Sequence, residues 1–165
     1  MCGISGSGKT FHALRLTHEG YVRLSVDNLV WQKVGKNLFK LSQKEQKFLF
    51  DECKEEVRRQ LKTLLQSGIN VVVDATHCRR AARDEVRCIC QKAGVKPVFA
   101  YCEAEEEELW NRLSQRGGTG PDDLIVTREE LSRYWQGFER PQPDETDFIV
   151  INTDEDIIKK IYNED

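Results

Sequence analysis

Apolar and polar positions change period several times along the chain, and the changes predict strand and helix in turn. Tyr21-Val22-Arg23-Leu24-Ser25-Val26 alternates apolar and polar, the pattern of a half-buried strand, and ends at Asp27. From about Ser42 to Gln66 the period becomes helical, with apolar residues at Phe48, Leu49, Cys53, Val57, Leu61, Leu64 and Leu65. Ser42 and Glu45 form a capping box at its start, and Ser67-Gly68 stops it. Ile69-Asn70-Val71-Val72-Val73 is β-branched and nearly all apolar, as expected of a strand covered on both faces of a parallel sheet, and it terminates at Asp74. A helix from about Arg79 to Lys92 is closed by Gly94, and Val95 to Cys102 reads as another strand. Glu105 to Arg116 predicts a helix whose acidic start suits the helix dipole. Gly117 to Asp123 reads as a mobile loop, Thr127 caps a helix to about Gln136, and Phe148 to Ile151 predicts a last strand before a short helix.

Strands alternating with helices define an α/β chain. The expectation is a three-layer α/β/α fold, a parallel sheet of about five strands, and a helical lid at about 112–128. A single domain would cover 1–165. Only Met1 and Cys2 precede Gly3, so the first strand should be unusually short. Ligands of such sheets sit at the carboxyl ends of the strands. Gly3, Asp27 and Asp74 each follow a predicted strand end, so one sheet edge would collect all three.

Composition narrows this only modestly. The 165 residues are 39% hydrophobic and 32% charged, which describes a soluble globular chain with one domain's worth of core. A net charge of −3 gives no global attraction to nucleic acid or anionic membrane. The six cysteines form no CxxC pair and no metal-type spacing, which fits a reducing compartment. No signal peptide is visible and the apolar runs are too short to cross a bilayer. The expected location is intracellular, in the cytoplasm.

Chemistry enters at Gly3-Ile4-Ser5-Gly6-Ser7-Gly8-Lys9-Thr10, which fits G-x-x-x-x-G-K-[ST] at every position. Gly3, Gly6 and Gly8 permit backbone angles that a β-carbon would block, so the loop's N–H groups, Ser5 and Ser7 included, would point at phosphate oxygens. Lys9 would reach the β- and γ-phosphates and the Thr10 hydroxyl would sit on Mg²⁺. The expected cofactors are therefore ATP and Mg²⁺.

Asp27 is the candidate general base for a substrate hydroxyl, with turn capping as its plainer use. Asp74 is placed to hold Mg²⁺ through water or to meet the substrate. Arg112 and Arg116, four apart on one helix, run into the glycine-rich loop and would close over the transferring phosphoryl group. Arg128 and Arg133 are further substrate contacts in this reading. Arg79, Arg80, Arg83 and Arg87 would line an anionic groove or form a solvated face.

These residues together resemble the P-loop kinase family of polynucleotide 5′-hydroxyl kinases, with zeta toxins as relatives. The resemblance rests on the P-loop, Asp27, the Val71-Val72-Val73-Asp74-Ala75-Thr76-His77 segment, Arg112-x-x-x-Arg116 and the block Phe138-Glu139-Arg140-Pro141-Gln142-Pro143-Asp144-Glu145. It implies Asp27 as base, Lys9 and Thr10 as phosphate and Mg²⁺ residues, Asp74 as the acid after the third strand, and Arg112 and Arg116 as lid arginines. Two positions depart from the family. Val30 stands where polynucleotide kinases tend to carry an arginine, and Ala75-Thr76-His77 stands where they usually show Thr-Asn. The implied activity is transfer of the γ-phosphate of ATP to a hydroxyl, on a polynucleotide end or a small metabolite. Two other classes remain open, an NTPase and a non-catalytic nucleotide-binding module.

Overall fold

The computed structural model describes residues 1–152 and 154–162. Short strands β1 (Val22–Ser25), β2 (Val71–Asp74), β3 (Phe99–Cys102) and β4 (Phe148–Ile151) alternate with helices. The helices are α1 (Lys9–His18), α2 (Val26–Val34), α3 (Gln43–Gln66), α4 (Arg80–Lys92), α5 (Glu106–Leu113), α6 (Arg128–Gln136) and α7 (Ile157–Tyr162). Two 3₁₀ turns lie at Gly35–Lys40 and Pro121–Asp123.

In place of one sheet of about five strands, the described residues form two parallel pairs, β1 with β2 and β3 with β4. Residues 1–3 hydrogen-bond to both. On one side the Met1 nitrogen donates to the Val73 carbonyl (2.8 Å) and the Gly3 N–H to Thr76 (3.0 Å). On the other the Cys2 N–H donates to Ala100 (2.8 Å) and the Cys102 N–H to Cys2 (2.9 Å). The short first strand is thus a bridge, Cys2 beside Tyr101, between the two pairs.

Helices cover both faces. Val72 packs with Ala13, Leu16, Ile151 and Ile157, which come from α1, β4 and α7. Its neighbours Val71 and Val73 pack instead with Val30, Cys53, Val57 and Leu61 of α2 and α3. Successive side chains of a strand point to opposite faces, which produces this division. A third cluster seats Ile4 against Leu109, Leu113 and Leu131, so α5 and α6 rest on the P-loop.

Several boundaries differ from the sequence expectation. The first regular strand stops at Ser25, whose hydroxyl accepts the Asn28 N–H (3.2 Å) and caps α2. Asp27 therefore lies in the first turn of a helix rather than at a strand end. β3 begins at Phe99, not Val95: the Val95 N–H is taken by the Cys90 carbonyl at the end of α4 (3.0 Å), and Pro97 has no N–H to give a sheet. The glycine-rich loop expected to be mobile is fastened by Asp123. Its carboxylate accepts the N–H groups of Gly117 (3.2 Å) and Thr119 (3.0 Å) and the Thr119 hydroxyl (2.8 Å). The long helix α3 agrees closely, capping box included.

Of the four arginines Arg79, Arg80, Arg83 and Arg87, Arg79 and Arg80 are exposed, as a solvated face would have them, and the groove that Arg80 and Arg87 line is shared with the carboxylates of Asp84, Asp144, Glu145 and Asp147. Arg83 is fully buried and grips Glu145 through two bonds (2.8 and 2.6 Å). Arg87 joins Glu145 (2.8 Å) to Asp147 (2.7 Å), and Arg80 pairs with Asp144. Together they clamp the segment after α6 onto α4.

Candidate functional site

The P-loop turns from the residue 1–3 bridge into α1. Gly3 holds φ +140°, and a β-carbon there would lie 2.6 Å from the Cys102 carbonyl oxygen, so no larger residue fits. Gly8, at φ +96°, is the N-cap of α1 and offers no side chain to its N–H groups. The first helical bond runs from the His12 N–H to Gly8 (3.2 Å). The N–H groups of Lys9, Thr10 and Phe11 therefore precede any partner within the helix and open onto its positive end. That arrangement receives an anion.

Lys9 is nearly buried and donates from Nζ to the Ile4 carbonyl (2.8 Å). Burial pulls its pKa down, and the carboxylates of Asp74 and Asp27 act against that. Ser5, Gly6 and Thr10 are half-buried along the loop. Ser7 differs from expectation. Its hydroxyl is buried without a partner and lies next to Gly3, and its N–H is taken by the Ile4 carbonyl (3.2 Å).

Asp27 is exposed to solvent, yet its carboxyl is flanked closely by protein. Loss of hydration first, and then the Asp74 carboxylate, push its pKa up to about 6, with Lys9 and Arg116 opposing. Asp27, Asp74 and Lys9 thus meet near the P-loop, as anticipated. Arg116 joins them by an unexpected route. The helix α5 ends at Leu113, so Arg112 and Arg116 do not share a helical face. Arg112 turns to the P-loop and donates to the Gly6 carbonyl (3.0 Å), while also pairing with Glu108. Arg116 donates to the Leu124 carbonyl (3.4 Å), and Asp123, Asp27 and Asp122 counter the fall in its pKa that burial causes. Arg128 lies over the Trp110 ring and pairs with Glu107, away from these groups.

The residue that sequence reasoning missed is Arg23. A charged side chain at a polar position of an alternating strand reads as solvent-facing. Here its side chain is only 9% exposed and binds Asp74 through Nε (2.9 Å) and Nη2 (2.6 Å). His77 also has a structural use: at φ +42° its Nδ1 meets the Met1 carbonyl (2.7 Å). Burial drives its pKa down to about 3, so the neutral ring must donate from Nδ1.

Mg²⁺ would find hard oxygen donors here. Thr10 offers a hydroxyl, and Asp74 retains Oδ1 while Oδ2 is held by Arg23. The described residues contain no cluster of three or more His, Cys, Asp or Glu that could cage a metal.

A loop of this form between parallel strands, with helices on both faces, defines a P-loop nucleotide-binding protein of the kinase-like α/β type. The family model described as AAA domain matches residues 1–141, and the chain belongs to that family. It is 30% identical over 151 residues to protein KTI12 homolog of Arabidopsis thaliana, covering 86% of this chain and 47% of that protein. The chain thus spans about half the length of this curated relative. Solved structures share the fold, among them the following two. Chaetomium thermophilum Kti12 in complex with ADP-AlF3 aligns with a TM-score of 0.65 at 15% identity, over 98% of this chain and 95% of that one. A gluconokinase from Sinorhizobium meliloti 1021 aligns with a TM-score of 0.64 at 20% identity, over 93% and 81%. Among the described residues no helix is long and apolar enough to cross a membrane.

Proposed function

We propose that this chain is an ATP- and Mg²⁺-dependent phosphotransferase that moves the γ-phosphate to a hydroxyl acceptor. The observation that carries the reading is Asp27. Its carboxyl, with a pKa of about 6, lies close enough to Lys9 for each to shift the other. A base of that strength is ionised at neutral pH and still accepts a proton from an alcohol as the P–O bond forms. In this mechanism the N–H groups of Gly8, Lys9 and Thr10 and the Lys9 ammonium bind the β- and γ-phosphates. Lys9 exchanges its Ile4 carbonyl partner for phosphate oxygen. Thr10 and Asp74 would hold Mg²⁺, which supplies further neutralisation of phosphate charge. Asp27 takes the acceptor's proton, Arg112 steadies the loop through Gly6, and Arg116 stands beside the reacting groups. A domain over 1–165 with its lid at about 112–128 is part of this reading.

The acceptor belongs to the class of polynucleotide 5′-hydroxyls or small hydroxylated metabolites. The gluconokinase likeness supports a hydroxyl acceptor, and the Kti12 complex supports ATP as donor. A second reading, a nucleotide-binding or hydrolysing module, is favoured by one observation: Arg23 already occupies one oxygen of Asp74.

Transfer of labelled γ-phosphate to 5′-hydroxyl DNA and RNA oligonucleotides, nucleosides and sugars, beside a no-acceptor control, separates them. Label on an acceptor, lost in Asp27→Ala with ATP binding retained, is the expected result. Phosphate release without an acceptor, or tight ATP binding without turnover, would replace it with the second reading.

A further inference from the structure

We infer that Arg23 is a positioning residue that latches the lid to the P-loop cleft by holding the buried carboxylate of Asp74 on one side and Asp122 of the lid on the other. The geometry is that of a guanidinium used at both edges. Asp74 Oδ2 receives Nε at 2.9 Å and Nη2 at 2.6 Å. Asp122 Oδ1 receives Nη2 at 2.6 Å, and its Oδ2 lies 3.3 Å from Nη1. Asp122 belongs to the 3₁₀ turn Pro121–Asp123, so the bond fixes the lid by its own backbone element.

The two arms are unequal. Side chains of Arg23 and Asp74 are 9% and 5% exposed, whereas Asp122 is 38% exposed. Removing either member of the inner pair strands a buried charge. The outer pair faces solvent and is screened by salt. The latch therefore opens at Asp122 and leaves Asp74 oriented. A second contact registers the closed position: Phe39, in the turn after α2, and Ile125 lie so close to Gly118 that a β-carbon there would meet both at 3.0 Å. The carboxylates at both ends of the latch, Asp74 and Asp122, raise the pKa of Asp27. Arg23 touches no reacting atom in the proposed mechanism; it decides where the lid rests.

The structural claim stands on these contacts, and its bearing on turnover rests on the kinase reading. Limited trypsinolysis of the ligand-free protein tests the first directly. The bond between Arg116 and Gly117 lies at the base of the lid, and fragments cut there are identified by mass. Asp122→Asn should be cut about two- to fivefold faster than wild type at low salt, the range that an exposed ion pair supports. The difference should vanish near 1 M salt, where screening falls to about 3 Å. Asp122→Glu should restore wild-type protection and salt dependence. Arg23→Lys keeps a cation for Asp74 but loses the two-edged grip, so it should match Asp122→Asn, and the double variant should be no faster than either. Equal cutting of Asp122→Asn and wild type at low salt, or additive effects in the double variant, would overturn the latch. Release of a fluorescent ATP analogue from the same variants should follow the same order. Failure of wild type to bind the analogue would overturn the nucleotide reading while the trypsin result still decides the latch.

Discussion

Asp27 is a residue whose environment works against its own charge. Its folded pKa, about 6, lies above the 3.8 of a free carboxyl, so the folded state binds the proton more tightly. Stability from this group is complete below about pH 4 and declines as pH rises toward 6. Asp27→Asn should therefore raise the melting temperature at pH 7.5 and leave it nearly unchanged at pH 4, as thermal denaturation at the two pH values would read. The same substitution should end phosphoryl transfer, and in the wild type kcat/KM should fall as pH drops through about 6. A melting temperature that is equal in the two proteins at pH 7.5 would contradict the assigned environment. Gly3 offers a second check. Gly3→Ala places a methyl 2.6 Å from the Cys102 carbonyl at a positive φ, and a loss of about 1–3 kcal/mol is expected in urea unfolding. Gly3 was legible in the sequence because the P-loop requires particular types at fixed spacing, and Asp27 because it closes an alternating segment, though that segment turns helical at Val26. Arg23 was not, since what distinguishes it is a carboxylate fifty-one residues away.

At the scale of elements, local signals decided what could be read. The capping box at Ser42 and the cap at Thr127 announced α3 and α6, and both helices start directly after those residues. The helix α2 escaped notice because Val26, Val30 and Val34 are β-branched and follow directly on a strand, with Ser25 serving both elements. The role of α4's arginines was equally hidden, because their partners Asp144, Glu145 and Asp147 come from a distant segment. That clamp makes its own prediction. Arg83 holds the Glu145 carboxyl down to about 2, against 4.5 for a free glutamate. Its contribution is present above about pH 4.5 and is lost as pH falls toward 2. Glu145→Ala leaves Arg83 buried without its partner and should cost about 3–5 kcal/mol at pH 7. Urea denaturation at pH 7 and pH 3 should show the gap between variant and wild type narrowing in acid; a gap that stays constant would count against the ion pair as its source.

For the whole molecule, the alternation of strand and helix was readable, and Asp27 and Asp74 do lie near Lys9, though Asp27 reaches it from a helix and not from a strand end. How the strands divide was not readable, because it depends on three residues that carry almost no pattern. Cys2 and Gly3 are adjacent, yet their N–H groups point in opposite directions, Cys2 to Ala100 and Gly3 to Thr76. Each amide thus belongs to a different half of the molecule. Hydrogen–deuterium exchange at these two positions becomes a paired gauge: an opening confined to the β1–β2 half would release Gly3 alone, and one confined to the β3–β4 half would release Cys2 alone. Exchange of both at a single common rate would mean that the halves part from the P-loop only together, and that the loop's root and the entire fold share one cooperative unit.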